Sequence, residues 1–285
     1  MKILVSGGRG FIGKHLLDEL KRSGLDAEAV QSRIENKSDV EKEVQAKKPD
    51  VIIHLAARIP KGPKIDPTDF YNCNIAGTFN LLNAGRQSGL KKFIYASSMA
   101  VYGLPQRVPL DESHPTNPFN QYGLSKLIGE LCCQMFKGEF KILVLRLSSV
   151  YGVGVTEPKA TRIFAEQVLQ AKDLTVYGKG ESLNDYVYVQ DVLQGFKAAI
   201  AFDKNDYDVF NIGAGQGMTT KNLAKVIIEL SGGKSKLTMV DREELRPYDF
   251  VYDLSKAKKE LNYRPHAPEE GLKNYLDDLR KSMNA

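Results

Sequence analysis

The sequence predicts an α/β chain: a doubly wound parallel sheet with a smaller C-terminal lobe that binds substrate. Three observations carry this prediction. Short apolar segments alternate with segments of helical periodicity through the first half of the chain. The first apolar segment runs straight into a glycine-rich turn, Gly7-Gly8-Arg9-Gly10, and then into a helix. After Ser148 the pattern gives way to loops bearing Gly152, Gly154, Pro158, Gly178 and Gly180.

Taken in order, the strands read as Ile3–Val5, Ala27–Gln31, Val51–Leu55, Lys92–Ala96 and Ile142–Leu147. The helices between them read as Phe11–Ser23, Ser38–Lys47, Phe70–Ser88 and Tyr122–Phe136. A βαβ rhythm of this kind builds a parallel sheet covered on both faces. Further on, Asp185-Tyr186-Val187-Tyr188-Val189 reads as a strand, Phe210-Asn211-Ile212-Gly213 as a second apolar segment, and Thr220–Leu230 and Ser255–Leu261 as helices. The expected division is a nucleotide-binding domain over 1–148, with returning segments near 185–215, and a substrate lobe over 149–184 and 216–285.

The spacing Gly7-x-x-Gly10-x-x-Gly13 matters because of what flanks it. Strand, glycine turn and helix in that order bring backbone N–H groups and a helix N-terminus up to a pyrophosphate. Phe11 and Ile12 open that helix, and Leu16, Leu17 and Leu20 continue it at helical spacing. A Rossmann-type dinucleotide site is expected here.

A second signal is Tyr122 with Lys126 in Gln-Tyr-Gly-Leu-Ser-Lys. Residues i and i+4 share one face of a helix, so the lysine sets a positive charge near the phenol. A nearby cation favours phenolate and lowers the tyrosine pKa, which suits proton exchange with an alcohol or ketone. Ser97-Ser98 lies upstream at a strand end. Side chains alternate along a strand, so only one of the two faces the cleft.

Composition narrows the classes. The chain has 285 residues, 42% of them hydrophobic, enough for a full core. The short N-terminal apolar run meets glycine at once, unlike a signal peptide, and no stretch approaches a membrane span. Cys73, Cys132 and Cys133 show neither metal-ligand nor disulfide spacing, which fits a reducing cytoplasm and no metal site. The net charge of +5 is spread along the chain, suiting anionic small ligands more than nucleic acid.

Together the motifs resemble a known family. Gly7-x-x-Gly10-x-x-Gly13, His54-Leu55-Ala56-Ala57, Asn74-x-x-Gly77-Thr78, Ser97-Ser98-Met99-Ala100-Val101-Tyr102-Gly103 and Tyr122-x-x-x-Lys126 occur in the order found in extended short-chain dehydrogenase/reductases. The chain is most similar to the nucleotide-sugar epimerase and reductase branch. The C-terminal Arg246-Pro247-Tyr248-Asp249, Asp253-Leu254-Ser255-Lys256-Ala257 and Leu261-Asn262-Tyr263-Arg264-Pro265 also resemble that branch.

The resemblance implies roles. Tyr122 is the general acid/base, Lys126 binds the nicotinamide ribose and lowers the tyrosine pKa, and Ser98 hydrogen-bonds the reacting oxygen. Leu55, Ala56 and Ala57 border the cofactor. Asn74 joins them or has a structural or water-holding role, and His54 reads as a satisfied strand-end histidine. Asp39-Val40 is placed near the adenine, or Asp39 simply caps its helix. Dimerisation through the helix of Tyr122 and the helix near Phe70–Ser88 is expected, although Leu124, Leu127, Ile128 and Leu131 equally fit burial in a monomer.

For the cofactor, NAD-specific members place an acid at the end of the second strand to hold the ribose 2′-OH. Here that region reads Ala29-Val30-Gln31-Ser32-Arg33. With the acid missing, Arg9, Ser32 and Arg33 are expected to hold a 2′-phosphate, because guanidinium forks match phosphate. NADP(H) is therefore favoured, with NAD(H) as the alternative.

Dehydratases of the branch carry acids directly after the catalytic Ser/Thr, and members that epimerise beside the ketone carry a cysteine two residues after it. This chain has Met99 and Ala100 there. What remains is hydride transfer at one carbon: NADPH reduction of a nucleotide-linked 4-keto sugar, or 4-epimerisation with retained NAD. The reductase is the first expectation, the epimerase the alternative, and a non-catalytic NADP-binding sensor or scaffold the third reading. Arg246 and Asp249 match the family's Arg-Pro-Gly-Asp motif, with Arg246 pairing with a phosphate. Asn184 stands where relatives commonly have an arginine, and Ser149 where they have an asparagine.

Overall fold

Alternation along the strands decides which helices cover which face of the sheet. Ile3, Val5, Ile53 and Ile94 fall in one buried cluster, with Leu16, Leu20, Val192 and Phe196. Leu4, Ile52, Phe93 and Tyr95 fall in another, with Val40, Val44, Leu81 and Leu82. A strand buried on both faces needs such near-continuous apolar runs.

The computed structural model describes residues 1–60, 66–242 and 248–283. Its first half runs β1 (Lys2–Ser6), α1 (Phe11–Arg22), β2 (Asp26–Ala29), α2 (Lys37–Lys47), β3 (Val51–His54), α3 (Pro67–Asp69), a π-helical stretch (Phe70–Ala76), α4 (Gly77–Ser88), β4 (Lys92–Ser98), α5 (Gln121–Met135) and β5 (Lys141–Leu147). The second half runs β6 (Ser149–Tyr151), α6 (Ala160–Leu169), β7 (Leu174–Tyr177), β8 (Leu183–Tyr188), α7 (Val189–Ala201), β9 (Tyr207–Ile212), β10 (Gly217–Thr219), α8 (Thr220–Leu230), β11 (Leu237–Val240), α9 (Ser255–Glu260) and α10 (Pro268–Met283).

Six strands form one parallel sheet in the order β2-β1-β3-β4-β5-β9. Ile3 pairs with Ala27 on one side and Val51 on the other. The chain therefore leaves β1 toward one edge and returns on the opposite side as β3. This reversal opens a crevice at the carboxyl ends of β1 and β3, the place where α/β sheets bind ligands. The predicted doubly wound parallel architecture is what the structure has.

Of the 185–215 stretch, α7 and β9 join this sheet, with β9 beside β5. β8 instead pairs with β6 and β10 in a small three-stranded sheet. β7 and β11 form a parallel pair. The buried Asp185 carboxylate ties these parts together. It accepts from the N–H groups of Ala214 (2.7 Å), Gly215 (3.0 Å) and Tyr252 (3.2 Å) and from the Ser148 hydroxyl (3.0 Å). Burial pushes its carboxyl pKa up, against four hydrogen bonds that favour the anion.

Most boundaries shift by one or two residues from the sequence reading, and three of the differences have a structural reason or consequence. β2 stops at Ala29 instead of Gln31, because the N–H groups of Gln31 and Ser32 turn to the Glu43 carboxylate of α2. The helix expected over Phe70–Ser88 begins with π-helical turns. This stretch carries Asn74, whose side chain reaches the loop after β3. Val189 opens α7 instead of closing β8.

Candidate active site

The glycine turn is shaped by close backbone approach. Gly7 has φ +73°, and a Cβ there would lie 2.6 Å from the Ala56 nitrogen. A Cβ on Gly13 would lie 2.2 Å from the Gly7 carbonyl oxygen. Only glycine fits either place. Gly10 is the N-cap of α1 and brings no side chain to it, so the first N–H groups of that helix are left for a ligand. The turn lies against Leu55 and Ala56 of the loop after β3, and Ala57 follows them, half-buried. Phe11 and Ile12 are half-buried beside it. A cradle in which added methyl groups would collide, lined by free helix amides, fits a dinucleotide pyrophosphate.

The end of β2 differs from expectation. Arg9 donates to the Gln31 side-chain oxygen at 2.5 Å, and the Ser32 hydroxyl donates to the Asp39 carbonyl at 3.2 Å. The backbone N–H groups of Gln31 (2.9 Å) and Ser32 (2.8 Å) donate to Glu43. Burial alone would raise the Glu43 pKa, but these donors and Lys47 at 3.0 Å hold it down at about 2. Of the groups expected to receive a 2′-phosphate, Arg9 and Ser32 thus have internal partners, and an internal anion sits among the donors. Arg33 is exposed. Asn36 caps α2 by accepting from the Asp39 N–H, so Asp39 is not the cap. Val40 has no exposed surface and packs in the core.

Helix α5 carries Tyr122 and Lys126 one turn apart. Asn120 starts this helix by accepting from the Gly123 N–H at 2.8 Å. Ser98, half-buried at the end of β4, stands beside the Tyr122 phenol and accepts from the Ala100 N–H at 3.2 Å. Ser97 faces the other way, donating to Glu130 at 2.5 Å. Alternation thus leaves Ser98 as the serine beside the tyrosine.

Asn74 clamps the site from the side. Its Oδ1 accepts from the Arg58 N–H at 2.7 Å, and its Nδ2 donates to the Ser125 hydroxyl at 2.8 Å. Ser125 in turn donates to the Tyr122 carbonyl at 2.8 Å. His54 has both ring nitrogens engaged, by Ser6 at 2.6 Å and Thr78 at 2.8 Å. Burial, and then the Lys126 charge, push its pKa well below the usual histidine value, so it is neutral.

The phenol is not acidified as the spacing suggested. Burial pushes the Tyr122 pKa up, opposed by the neighbouring Ser98 hydroxyl, and the Glu157 charge pushes it further up. Burial also pulls Lys126 down to about 8. A buried site penalises both ionised forms, and helical spacing alone cannot reveal that.

Behind the pair lies a buried polar network. Arg146 on β5 forks onto Glu130 of α5 (Nε–Oε1 3.0 Å, Nη2–Oε2 2.7 Å) and donates to the Tyr102 hydroxyl at 3.0 Å. Tyr102 donates to Asn211 of β9 at 2.6 Å. Glu130, one turn beyond Lys126, was within reach of helical spacing. Glu43 and Glu157 had no local signal, since each comes from a distant segment.

On the lobe side, Ser149 and Asn184 are half-buried on β6 and β8, and the exposed Asp249 accepts from the Leu183 N–H at 2.8 Å. Asn184 and Phe250 form an isolated bridge, so Asn184 and Asp249 lie on one rim. Arg246 lies outside the described residues.

This geometry, a dinucleotide crevice faced by a serine, a tyrosine and a lysine, is that of an extended short-chain dehydrogenase/reductase. Residues 3–213 match the NAD-dependent epimerase/dehydratase family, and the chain belongs to it. A Thermotoga maritima UDP-glucose 4-epimerase solved with UDP-glucose is 31% identical, with TM-score 0.90 over 99% of this chain and 100% of its own. A Bacillus cereus UDP-glucuronic acid 4-epimerase, solved with UDP-glucuronic acid and NAD, is 28% identical, with TM-score 0.86 over 99% of each chain. UDP-glucose 4-epimerase 2 of Arabidopsis thaliana is 30% identical over 97% of this chain and 93% of its own.

Proposed function

We propose that the protein is an NAD-retaining 4-epimerase of UDP-linked sugars, with Tyr122 as acid/base. The observation that carries this reading is Tyr122 with Ser98 beside its phenol and Lys126 one helical turn further along α5. Tyr122 takes the proton of the sugar 4-hydroxyl and returns it to the oxygen after the sugar has turned its other face. Ser98 holds that oxygen. Lys126 binds the cofactor ribose. The dinucleotide, when bound, accepts and gives back the hydride.

Two findings favour the epimerase over the reductase that the missing β2 acid first suggested. Glu43 places a carboxylate on the amides where a 2′-phosphate would need donors. The named relatives are 4-epimerases, one of them solved with NAD. Ser149, Asn184, Asp249 and Arg246 are the proposed substrate contacts.

The test is to supply purified protein with UDP-galactose and no added cofactor, and to identify the dinucleotide released on denaturation by mass spectrometry. UDP-glucose formation with co-purified NAD supports the reading. No turnover of UDP-galactose, together with stoichiometric NADPH oxidation when a UDP-linked 4-keto sugar is supplied, returns the assignment to the reductase.

A homodimer through α4 and α5 belongs to the same proposal. Phe79, Leu124, Leu131 and Met135 are exposed on these two helices, Met135 at 74%. Contiguous apolar exposure of this kind marks an interface. A cytoplasmic location also belongs to it, supported by three unpaired cysteines. Light scattering of the wild type and Leu131→Asp checks the dimer: the variant is expected to run as a monomer.

A further inference from the structure

We propose that Tyr95 is a positioning residue for Lys126, the face of its ring being the seat that holds the lysine ammonium in the crevice. This rests on the reading of Lys126 as the ribose-binding lysine.

The Lys126 Nζ lies 4.2 Å from the centroid of the Tyr95 ring. Attraction between a cation and a ring face operates within about 6 Å and is strongest where water is excluded. Water is excluded here: Lys126 is 2% exposed and Tyr95 fully buried. Among the described residues, Nζ has neither a hydrogen-bond nor an ion-pair partner, so the ring is its seat.

The ring itself is held on edge. Its hydroxyl sits against Gly129, where a Cβ would lie 2.1 Å away, and donates to the Lys126 carbonyl at 3.4 Å. The His54 ring lies 5.5 Å off and is neutral, so it adds no second cation. Other titratable groups acting on the ammonium are Glu130 and Cys133 of α5 and Cys73 of the π-helical stretch. Burial would strip the ammonium of its proton, and it already brings the pKa down to about 8. The electron-rich ring opposes that loss and fixes where the charge sits. Ser97, two residues on along the same strand face, grips Glu130 one turn further along α5. Strand β4 therefore sets both the height of the helix and the place of its lysine.

The experiment follows the Lys126 titration in cofactor-free protein by lysine side-chain ¹⁵N NMR, together with the Kd for NAD. Tyr95→Phe is expected to keep both, since the ring face survives. Tyr95→Leu is expected to lower the titration midpoint by about one pH unit and weaken NAD binding about tenfold. In a Lys126→Met background the same change is expected to alter NAD affinity less than about twofold, because the coupled partner is gone. Phenylalanines of increasing fluorination at position 95 keep the ring and weaken its negative face. They should lower the midpoint stepwise, and they keep the test alive if Tyr95→Leu fails to fold. An unmoved midpoint across the fluorinated series, or in a folded Tyr95→Leu, overturns the proposal. A wild type that binds no NAD would instead overturn the proposed reaction, with the titration still deciding the role of Tyr95.

Discussion

Replacing Glu130 with glutamine removes one charge from a pair in which both partners are nearly sealed from solvent, Glu130 at 4% and Arg146 at 6% exposure. The carboxylate accepts from Arg146 twice and from Ser97 once. Breaking a buried pair by neutralising one partner typically costs about 3–5 kcal/mol, because the other charge stays behind. Arg146 keeps the Tyr102 hydroxyl at 3.0 Å and that ring face at 4.8 Å. The low end, about 3 kcal/mol, is therefore expected for Glu130→Gln. For a chain of this size that lowers Tm by roughly 6–12 °C. Replacing both residues with methionine should recover most of the loss, since burying a pair is itself expensive. Urea unfolding and thermal scans at low and high salt measure this. Buried charges are poorly screened, so the loss should persist in high salt. A loss under about 1 kcal/mol, or one abolished by salt, would refute the argument that this pair anchors α5 to the sheet.

Tyr122→Phe should lower turnover about a hundred- to ten-thousand-fold while leaving NAD affinity near wild type, as steady-state rates and a binding titration would show. Gly13→Ala should abolish dinucleotide binding, because the new Cβ would sit 2.2 Å from the Gly7 carbonyl oxygen; fluorescence titration with NADH checks it. Glu43 has a folded pKa of about 2, depressed from 4.5, so it adds stability above pH 4.5 that is lost as pH falls from 4.5 to 2. Glu43→Gln should remove at most about 3 kcal/mol at pH 7 and flatten acid unfolding over that window, read by circular dichroism. The same variant removes the anion and one of the two acceptor oxygens held by the amides of Gln31 and Ser32, and should narrow the preference for NAD over NADP, measured as the ratio of their Kd values.

Much of the molecule was legible along the chain. The run Lys2 to Leu20 displays strand, glycine turn and helix in consecutive residues, so its fold is written locally. Thr220–Leu230 shows its helix through apolar spacing, and the structure adds Thr219 as its cap. Tyr122 and Lys126 announce a shared helix face by being four apart. What could not be read was which groups from distant segments arrive beside these. Arg9 and Ser32 looked free to hold a phosphate until Gln31, Asp39 and Glu43 closed on them. β8 looked like part of the large sheet, but it pairs with β6 and β10.

The order of the motifs determined the parallel sheet and the glycine turn at its carboxyl edge, because strand, turn and helix patterns are each written in consecutive residues. Proton affinities and the seat of the ammonium were decided only by the folded packing. They depend on how much water is removed and on which ring or carboxylate stands within a few ångströms, and those neighbours lie 11 residues away for Ser32 and Glu43 and 31 for Tyr95 and Lys126.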